Sequence, residues 1–275
     1  MIIHTPEDLT LRVGADLTLA DVQTALAKAG QWLPLDPPNP GRTLRAILDR
    51  NDSGPHRFGY GTARDYVIGL TVRLADGRLA KSGGQVVKNV AGYDLQKLFI
   101  GCGGTLATAV EATFKLRPLP ESSRCVQQRL ETLEAAGAAI EAVMESELMP
   151  VVFDLHRLGQ RAALSMVLGF DGTVEDVDWQ LALAAGLGFQ EPAGLEYNQS
   201  FCAEADSLRK VSVLPSRLIE TLRGLGAEPF VARAGNGIIF HRADLAAPEA
   251  HLPARLLQRV KDIFDPGHLL PELPA

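Results

Sequence analysis

Glycine recurs in three bursts between residues 54 and 106. They read Gly54-Pro-His-Arg-Phe-Gly59-Tyr-Gly61-Thr62-Ala-Arg64-Asp65, then Gly83-Gly84-Gln85-Val-Val-Lys88-Asn89-Val-Ala-Gly92-Tyr93-Asp94, then Gly101-Cys-Gly103-Gly104-Thr105-Leu106. A residue without Cβ lets backbone N–H groups approach a diphosphate or a flat ring closely, so this spacing suggests a cradle for a nucleotide cofactor. The same glycines would also serve simply to turn hairpins tightly, and spacing alone leaves both readings open. The bursts spell neither GxGxxG nor GxxxxGK[ST], so neither a Rossmann-type site nor a P-loop is expected.

The other reactive side chains are scattered. His4, His56, His156, His241, His251 and His268 form no HxH, HxxxH or HExxH pair, and no GxSxG string is present. Neither a metal centre nor a serine-nucleophile site is therefore expected. Arg209 has the reach to clamp a substrate carboxylate, although a surface ion pair explains it equally well. Cys102, Cys125 and Cys202 are odd in number and widely spaced, which fits neither a disulfide framework nor a CxxC knuckle and implies a reducing, cytoplasmic setting.

The elements that must position these residues are readable from periodicity. Asp8–Gly14 alternates as a strand, and Thr18 caps a helix over Leu19–Lys28 whose apolar positions repeat at helical spacing and stop at Gly30. Four prolines between residues 34 and 40 make an extended connector. Tyr66–Leu74 and Leu79–Ser82 flank Asp76-Gly77 as a hairpin, and the alternation of Val110, Ala112, Phe114 and Leu116 predicts a strand. Pro118 and Pro120 then mark a boundary near residue 121. Beyond it the pattern predicts a strand (125–130), a helix (133–146), two strands (151–155, 161–168) and a helix (174–185). A second set follows: a strand (208–213), a helix (215–225), strands (229–234, 238–241) about a Gly-Asn-Gly turn, and a closing helix (252–264). Helices on one face of an antiparallel sheet suggest a ferredoxin-like α+β domain.

Composition sets the outer bounds. The 275 residues are 46% hydrophobic with 33 acidic against 27 basic side chains, a net charge of −6. That much apolar content excludes a disordered chain, and no apolar run approaches the roughly 18 residues needed to cross a membrane. The absence of Lys/Arg clusters argues against nucleic acid as a partner. Residues 1–14 lack the basic start and apolar core of a signal peptide.

The string SGPHRFGYGTARDYVIGLTVRLADGRLAKSGGQVVKNVAGYDLQKLFIGCGGTLATAVEATFKLRPLPE resembles the second half of the FAD-binding domain of the vanillyl-alcohol-oxidase (PCMH-type) family. Within it, GGQVVKNVAGYDLQKL is most similar to the FAD-binding subunit of bacterial glycolate oxidases (GlcE). The resemblance implies a PCMH-type domain over residues 1–121, lacking its first βαβ unit, and a smaller α+β cap or substrate domain over 122–275. It implies FAD as cofactor, with Ser53, Gly54, Gly59, Gly61, Thr62, Asp65 and Gly69 at the flavin and Gly104, Thr105 and Leu106 near the adenosine end. Lys88, Asn89, Tyr93 and Asp94 match the family string, with an architectural role equally open. It implies oxidation of glycolate or a similar 2-hydroxy acid, beside a flavoprotein subunit (GlcD) and an iron–sulfur subunit (GlcF). The chain would then lie in the cytoplasm, or at the inner membrane through its partners.

Two departures qualify that picture. Thr43-Leu44-Arg45-Ala46 stands where the family writes Thr-Ile/Leu-Gly-Gly, so side chains replace a bare backbone. Ala232-Arg233-Ala234-Gly235-Asn236-Gly237-Ile238-Ile239-Phe240 stands where related D-2-hydroxyacid dehydrogenases write GHxGDGNxH, with Arg233 and Phe240 in place of the metal-binding histidines, and no metal is expected. No general base is identifiable. A noncatalytic assembly subunit that has lost FAD, or an FAD-linked oxidase acting alone, is the alternative reading.

Overall fold

The computed structural model describes residues 1–85, 94–202, 208–243 and 254–273. The chain divides into two compact units. Unit 1 comprises Met1–Ser53, Gly61–Leu119 and Glu249–Ala275, and unit 2 comprises Gly54–Tyr60 and Pro120–Pro248. Gly54–Tyr60 and the C-terminal stretch thus fall otherwise than a single cut near residue 121 would place them.

Unit 1 begins with β1 (Ile2–Thr5), β2 (Thr10–Gly14), α1 (Leu19–Ala27), β3 (Gln31–Trp32) and α2 (Leu44–Arg50). After α3 (Arg57–Tyr60), which belongs to unit 2, come α4 (Ala63–Tyr66), β4 (Val67–Arg73), β5 (Leu79–Gly83), α5 (Gln96–Phe99), β6 (Thr108–Lys115) and β7 (Arg117–Pro118). Five strands form an antiparallel sheet in the order β1-β2-β6-β4-β5. Its alternation sends Leu11, Val13, Leu70, Val72, Ala112 and Phe114 inward, all nearly fully buried, and leaves a polar opposite face. The expected hairpin is present, with Gly77 in the left-handed region and Arg78 N–H donating to Asp76 Oδ1. The strand expected over Asp8–Gly14 is β2 and starts at Thr10, because Pro6–Asp8 forms a single 3-10 turn, and β1 precedes it.

Thr43–Ala46 proves to be the start of a helix. The Thr43 hydroxyl accepts from Ala46 N–H as an N-cap, and Leu44, Ile47 and Leu48 bury one face. Arg45 then braces the sheet, with Nε donating to the Ala109 carbonyl at 2.9 Å and Nη2 lying 2.6 Å from the Asp16 carboxylate.

Unit 2 carries β8 (Ser122–Leu130), α6 (Leu133–Glu145), β9 (Val152–Arg157), β10 (Leu164–Gly172), α7 (Val174–Gly186), β11 (Glu191–Ala193) and α8 (Glu196–Cys202). It continues with β12 (Arg209–Ser212), α9 (Leu218–Gly224), β13 (Phe230–Arg233) and β14 (Ile238–His241). The seven strands form one antiparallel sheet ordered β11-β8-β10-β9-β13-β14-β12. The first set, β8-α6-β9-β10-α7-β11, has the spatial order 4-1-3-2 of a ferredoxin-like unit, and β13, β14 and β12 extend its far edge. Thr132 and Thr173 cap α6 and α7 by accepting from backbone N–H groups three residues on. Ala136, Val143, Val177, Ala184, Leu218 and Leu222 of α6, α7 and α9 pack with Phe153, Leu155, Met166 and Phe170 in the main core. On the other face, Tyr197, Phe201 and Cys202 of α8 pack with Val152, Val167 and Val231.

The final helix, α10 (Ala254–Phe264), belongs to unit 1, where Phe264 meets Phe99 edge-on at 5.6 Å. Residues 252–253 of the expected helix lie outside the described residues. The Asp265-Pro266-Gly267 stop is built around a fully buried ion pair. Asp265 accepts from Lys261 Nζ at 2.5 Å and from the Leu269 and Leu270 N–H groups. Burial pushes its carboxyl up, but these donors outweigh burial and bring it to about 2.

Candidate functional site

In unit 1 the third glycine burst folds onto the C-terminal end of α2. Gly101 N–H donates to Leu48 O and Gly103 N–H to Asp49 O, both at 2.8 Å, while Arg64 Nη2 holds Ile100 O at 2.7 Å. Gly101, Gly103 and Gly104 all have positive φ, a conformation that excludes most side chains. Asn51 ends α2 in the left-handed region, its N–H donating to Ile47 O and Leu48 O. Its side-chain Oδ1 is buried with no hydrogen-bond partner among the described residues. Beside it, burial pushes the Asp49 carboxyl up, partly offset by Arg45, and Gly104 lies next to Asp49 Oδ2. One buried acceptor without a partner, Asn51 Oδ1, and a half-buried carboxyl, Asp49, thus sit beside a loop of bare backbone.

The other sequence-predicted residues have jobs of their own. Gly61, Thr62 and Asp65 form a helix-capping box: Asp65 Oδ2 accepts from Thr62 N–H at 2.8 Å, and a Cβ at Gly61 would meet that carboxylate. Gly69 pairs with Gly83 where β4 and β5 run so close that a Cβ would strike Gly84 O at 2.8 Å. Thr105 Oγ1 donates to Cys102 O, and Leu106 is buried. Gly54 and Gly59 fall in unit 2, where Gly59 N–H donates to Val151 O and a Cβ would come within 2.6 Å of Val151 Cα. Ser53 is half-buried at the end of the first unit 1 segment. Asp94 braces a turn as an acceptor from Gln96 and an ion-pair partner of Lys97 at 3.0 Å. Lys88, Asn89 and Tyr93 lie outside the described residues, as does His251. Arg209 is exposed on the edge strand β12.

Unit 2 holds a cluster that sequence reasoning did not assemble. Arg233 and Asp154 are cross-strand neighbours on β13 and β9, almost wholly buried and joined by a charge-assisted hydrogen bond. Tyr197 donates to Asp154 Oδ2 at 2.5 Å, and Arg233 Nη2 donates to Asn198 Oδ1. Arg233 also lies over the Phe240 ring at 5.4 Å, so the two residues in the histidine positions serve this packing. Burial and the adjacent Asp154 raise the Tyr197 phenol well above its ordinary value. Among the described residues no group of three or more His, Cys, Asp or Glu side chains is placed to hold a metal ion.

His156 stacks on Tyr197 at 4.3 Å, and burial pushes its imidazole down to about 4. The unfolded chain binds this proton near pH 6.5 and the folded chain only near pH 4. Stability is therefore complete above pH 6.5 and declines as pH falls towards 4, by at most roughly 3 kcal/mol. Urea midpoints measured across that range are expected to fall for the native chain and to fall less for H156Q. Equal slopes would contradict the assignment. Next to β11, a recess of about 470 Å³ is lined by Arg124, Cys125, Phe189, Gln190 and Pro192. Burial, with Asp171, Asp154 and Glu196 nearby, pushes the Cys125 thiol up to about 12, leaving it protonated and unreactive at neutral pH.

An α+β framework with a glycine loop beside a buried, unpartnered acceptor is an arrangement suited to a nucleotide cofactor. Residues 1–83 match the FAD binding domain family, and that match supports FAD as the cofactor. It is 29% identical to glycolate oxidase subunit GlcE of Escherichia coli (strain K12) over 201 residues, covering 72% of this chain and 55% of that protein. It is 35% identical to glycolate oxidase subunit GlcD of Bacillus subtilis (strain 168) over 149 residues, covering 54% of this chain and 32% of that protein. It is also 32% identical to a D-lactate dehydrogenase of Archaeoglobus fulgidus over 141 residues, covering 51% and 32%. The chain thus spans about a third to a half of the length of these relatives. An alkyldihydroxyacetonephosphate synthase structure shares its fold, with TM-score 0.72 over 97% of this chain and 63% of that one at 14% identity.

The donor and acceptor chemistry of Asn51 and Asp49 fits the cofactor. The orphaned Asn51 Oδ1 and the desolvated Asp49 carboxyl both want donors, and a nucleotide's ribose hydroxyls and exocyclic amine supply them. Arg45, tied down by Asp16 and the Ala109 carbonyl, is engaged within unit 1. Asp49, Asn51 and Arg64 escaped sequence reasoning. Only Asn51 carried a usable signal, an Asn just past a helix end. Among the described residues no helix is long and apolar enough to cross a membrane.

Proposed function

We propose that this chain is the FAD-binding subunit of a glycolate oxidase-type complex that oxidises glycolate or a similar 2-hydroxy acid to the 2-oxo acid. The observation that carries the reading is the buried, unpartnered Asn51 Oδ1 next to Asp49 and the Gly101–Leu106 loop, in a chain similar over 72% of its length to a glycolate oxidase subunit. When bound, FAD supplies the acceptor for the hydride leaving the substrate carbon. Asp49 and Asn51 would accept hydrogen bonds from its adenosine end, with Gly104, Thr105 and Leu106 closing over it. Ser53, Gly54, Gly59, Gly61, Thr62, Asp65 and Gly69 are assigned to the flavin by the resemblance alone. Residues 1–121 would act as the FAD-binding domain and 122–275 as the cap.

A division of labour within the complex is favoured by one observation. The best candidates for acid–base work in unit 2, Asp154 and Tyr197, are bonded to each other and to Arg233 beneath α8. In this reading a flavoprotein partner of the GlcD type performs the substrate chemistry and an iron–sulfur partner of the GlcF type carries electrons onward. This chain completes the assembly, in the cytoplasm or at the membrane surface through its partners. Co-expression of the three chains is expected to give a complex that reduces an artificial electron acceptor with glycolate. Omitting this chain should abolish the activity. A fully active complex formed without it would overturn the proposal.

A further inference from the structure

The polar face of the unit 1 sheet contains a recess unconnected with the loop at 101–106. Strand register lays its lining out in two adjacent rows. Arg12 on β2, Thr113 on β6, Gly69 on β4 and Gly83 on β5 are successive cross-strand neighbours, and so are Gly14, Glu111, Thr71 and Lys81. Since alternate residues share a face, these rows form one surface, and the glycines leave a trough in it. Arg12, Thr71, Lys81, Glu111 and Thr113 line a space of about 110 Å³ over Gly69, Gly83 and Gly84.

Thr71 and Thr113 are 8% and 6% exposed, and both line the recess. Two threonines on the lining of one recess place neutral hydroxyl donors beside its cations. Arg12 Nε is buried without a hydrogen bond, 3.9 Å from the Glu111 carboxylate. Glu111 thus faces the Nε edge of the guanidinium, and both side chains line the trough. The Lys81 side chain is exposed at the opposite margin. Two cations against one carboxylate leave a net positive lining. A guanidinium, an ammonium and two hydroxyls converging from different strands suit a tetrahedral, multiply charged oxyanion better than a planar carboxylate.

We propose that this trough is a binding site for a phosphoryl group, held by Arg12 and Lys81 with the Thr71 and Thr113 hydroxyls as neutral donors. A phosphate fits a space of this size, which equals about three to four waters at their liquid volume. Two sources share that chemistry: a free phosphate or diphosphate, and the diphosphate of a nucleotide. The trough shares Gly69 with the residues that the resemblance assigns to FAD, but phosphoryl binding there does not depend on the glycolate oxidase activity proposed above.

Calorimetric titration of the flavin-free chain with inorganic pyrophosphate tests it. Saturable binding is expected, weakened about tenfold in K81M and lost in the R12Q/K81M pair, as removal of charged hydrogen bonds predicts. T71V/T113V, which keeps both charges and the side-chain shapes, should also weaken binding while leaving the circular dichroism spectrum unchanged. Repeating the titration on FAD-loaded protein separates the sources. Loss of pyrophosphate binding assigns the trough to the nucleotide's diphosphate, and retained binding assigns it to a second ligand; either result supports a phosphoryl site. No saturable binding to the flavin-free chain, or binding indifferent to K81M and to the threonine pair, overturns the proposal.

Discussion

R233M is expected to destabilise the protein by about 3–5 kcal/mol, the largest effect of any single change to a side chain in unit 2. Methionine keeps the volume of the apolar stem but removes the charge facing Asp154, whose carboxylate is completely buried between β9 and α8. Without the Arg233 charge across β13, that carboxylate is driven towards either a less favourable ionised state or the uptake of a proton. The rise in stability as pH is lowered towards the carboxyl's new titration point would show the second route directly. The pair itself contributes little net stability, because two charges were desolvated to make it. Accordingly R233M/D154L, which replaces both partners by apolar groups, should recover most of the loss in a double-mutant cycle. Urea denaturation of the four proteins measures all of this. R233M within about 0.5 kcal/mol of the native chain would mean that the pair does not hold α8 to the sheet as described.

The second large effect concerns the cofactor. N51G preserves the left-handed backbone at φ 49° that ends α2 but deletes the buried Oδ1. It should raise the dissociation constant for FAD about tenfold, the equivalent of one hydrogen bond to a buried acceptor. D49A/N51G removes both acceptors and should weaken FAD about a hundredfold if the two act independently. The melting temperature of N51G without FAD should be close to that of the native chain, which distinguishes lost recognition from lost folding. Fluorescence titration of FAD reads both constants. Unchanged affinity in the double variant would remove Asp49 and Asn51 from the cofactor site.

The framework was legible where side chains obey a single period. Thr132 and Thr173 announce α6 and α7, the Asp76-Gly77 pair announces the β4–β5 hairpin, and the strands β8 to β10 alternate or run apolar as buried strands do. The elements that escaped are those whose pattern is set by tertiary contacts. The seven residues of α8 read as polar text, yet Tyr197, Asn198, Phe201 and Cys202 are buried because the sheet supplies both apolar and ionic partners. Likewise α2 went unread because Thr43–Ala46 was weighed only against the family's Thr-Ile/Leu-Gly-Gly text, although Leu44, Ile47 and Leu48 already had helical spacing. Of the site, the glycines at 101–104 could be singled out by density, whereas Asp49 acquires meaning only when the loop is folded against it. Asp154 in Val-Val-Phe-Asp-Leu-His and Arg233 in Phe-Val-Ala-Arg are lone charges in apolar strands. That is a signal of burial with a partner, but only the sheet register shows that they are each other's.

The most direct test of FAD binding by this chain is the visible absorption spectrum of the purified protein after titration with FAD and removal of unbound cofactor. Flavin bands retained at about one FAD per chain, released on heat denaturation and diminished in D49A/N51G, are the expected result. A folded chain that stays colourless at saturating FAD would contradict it.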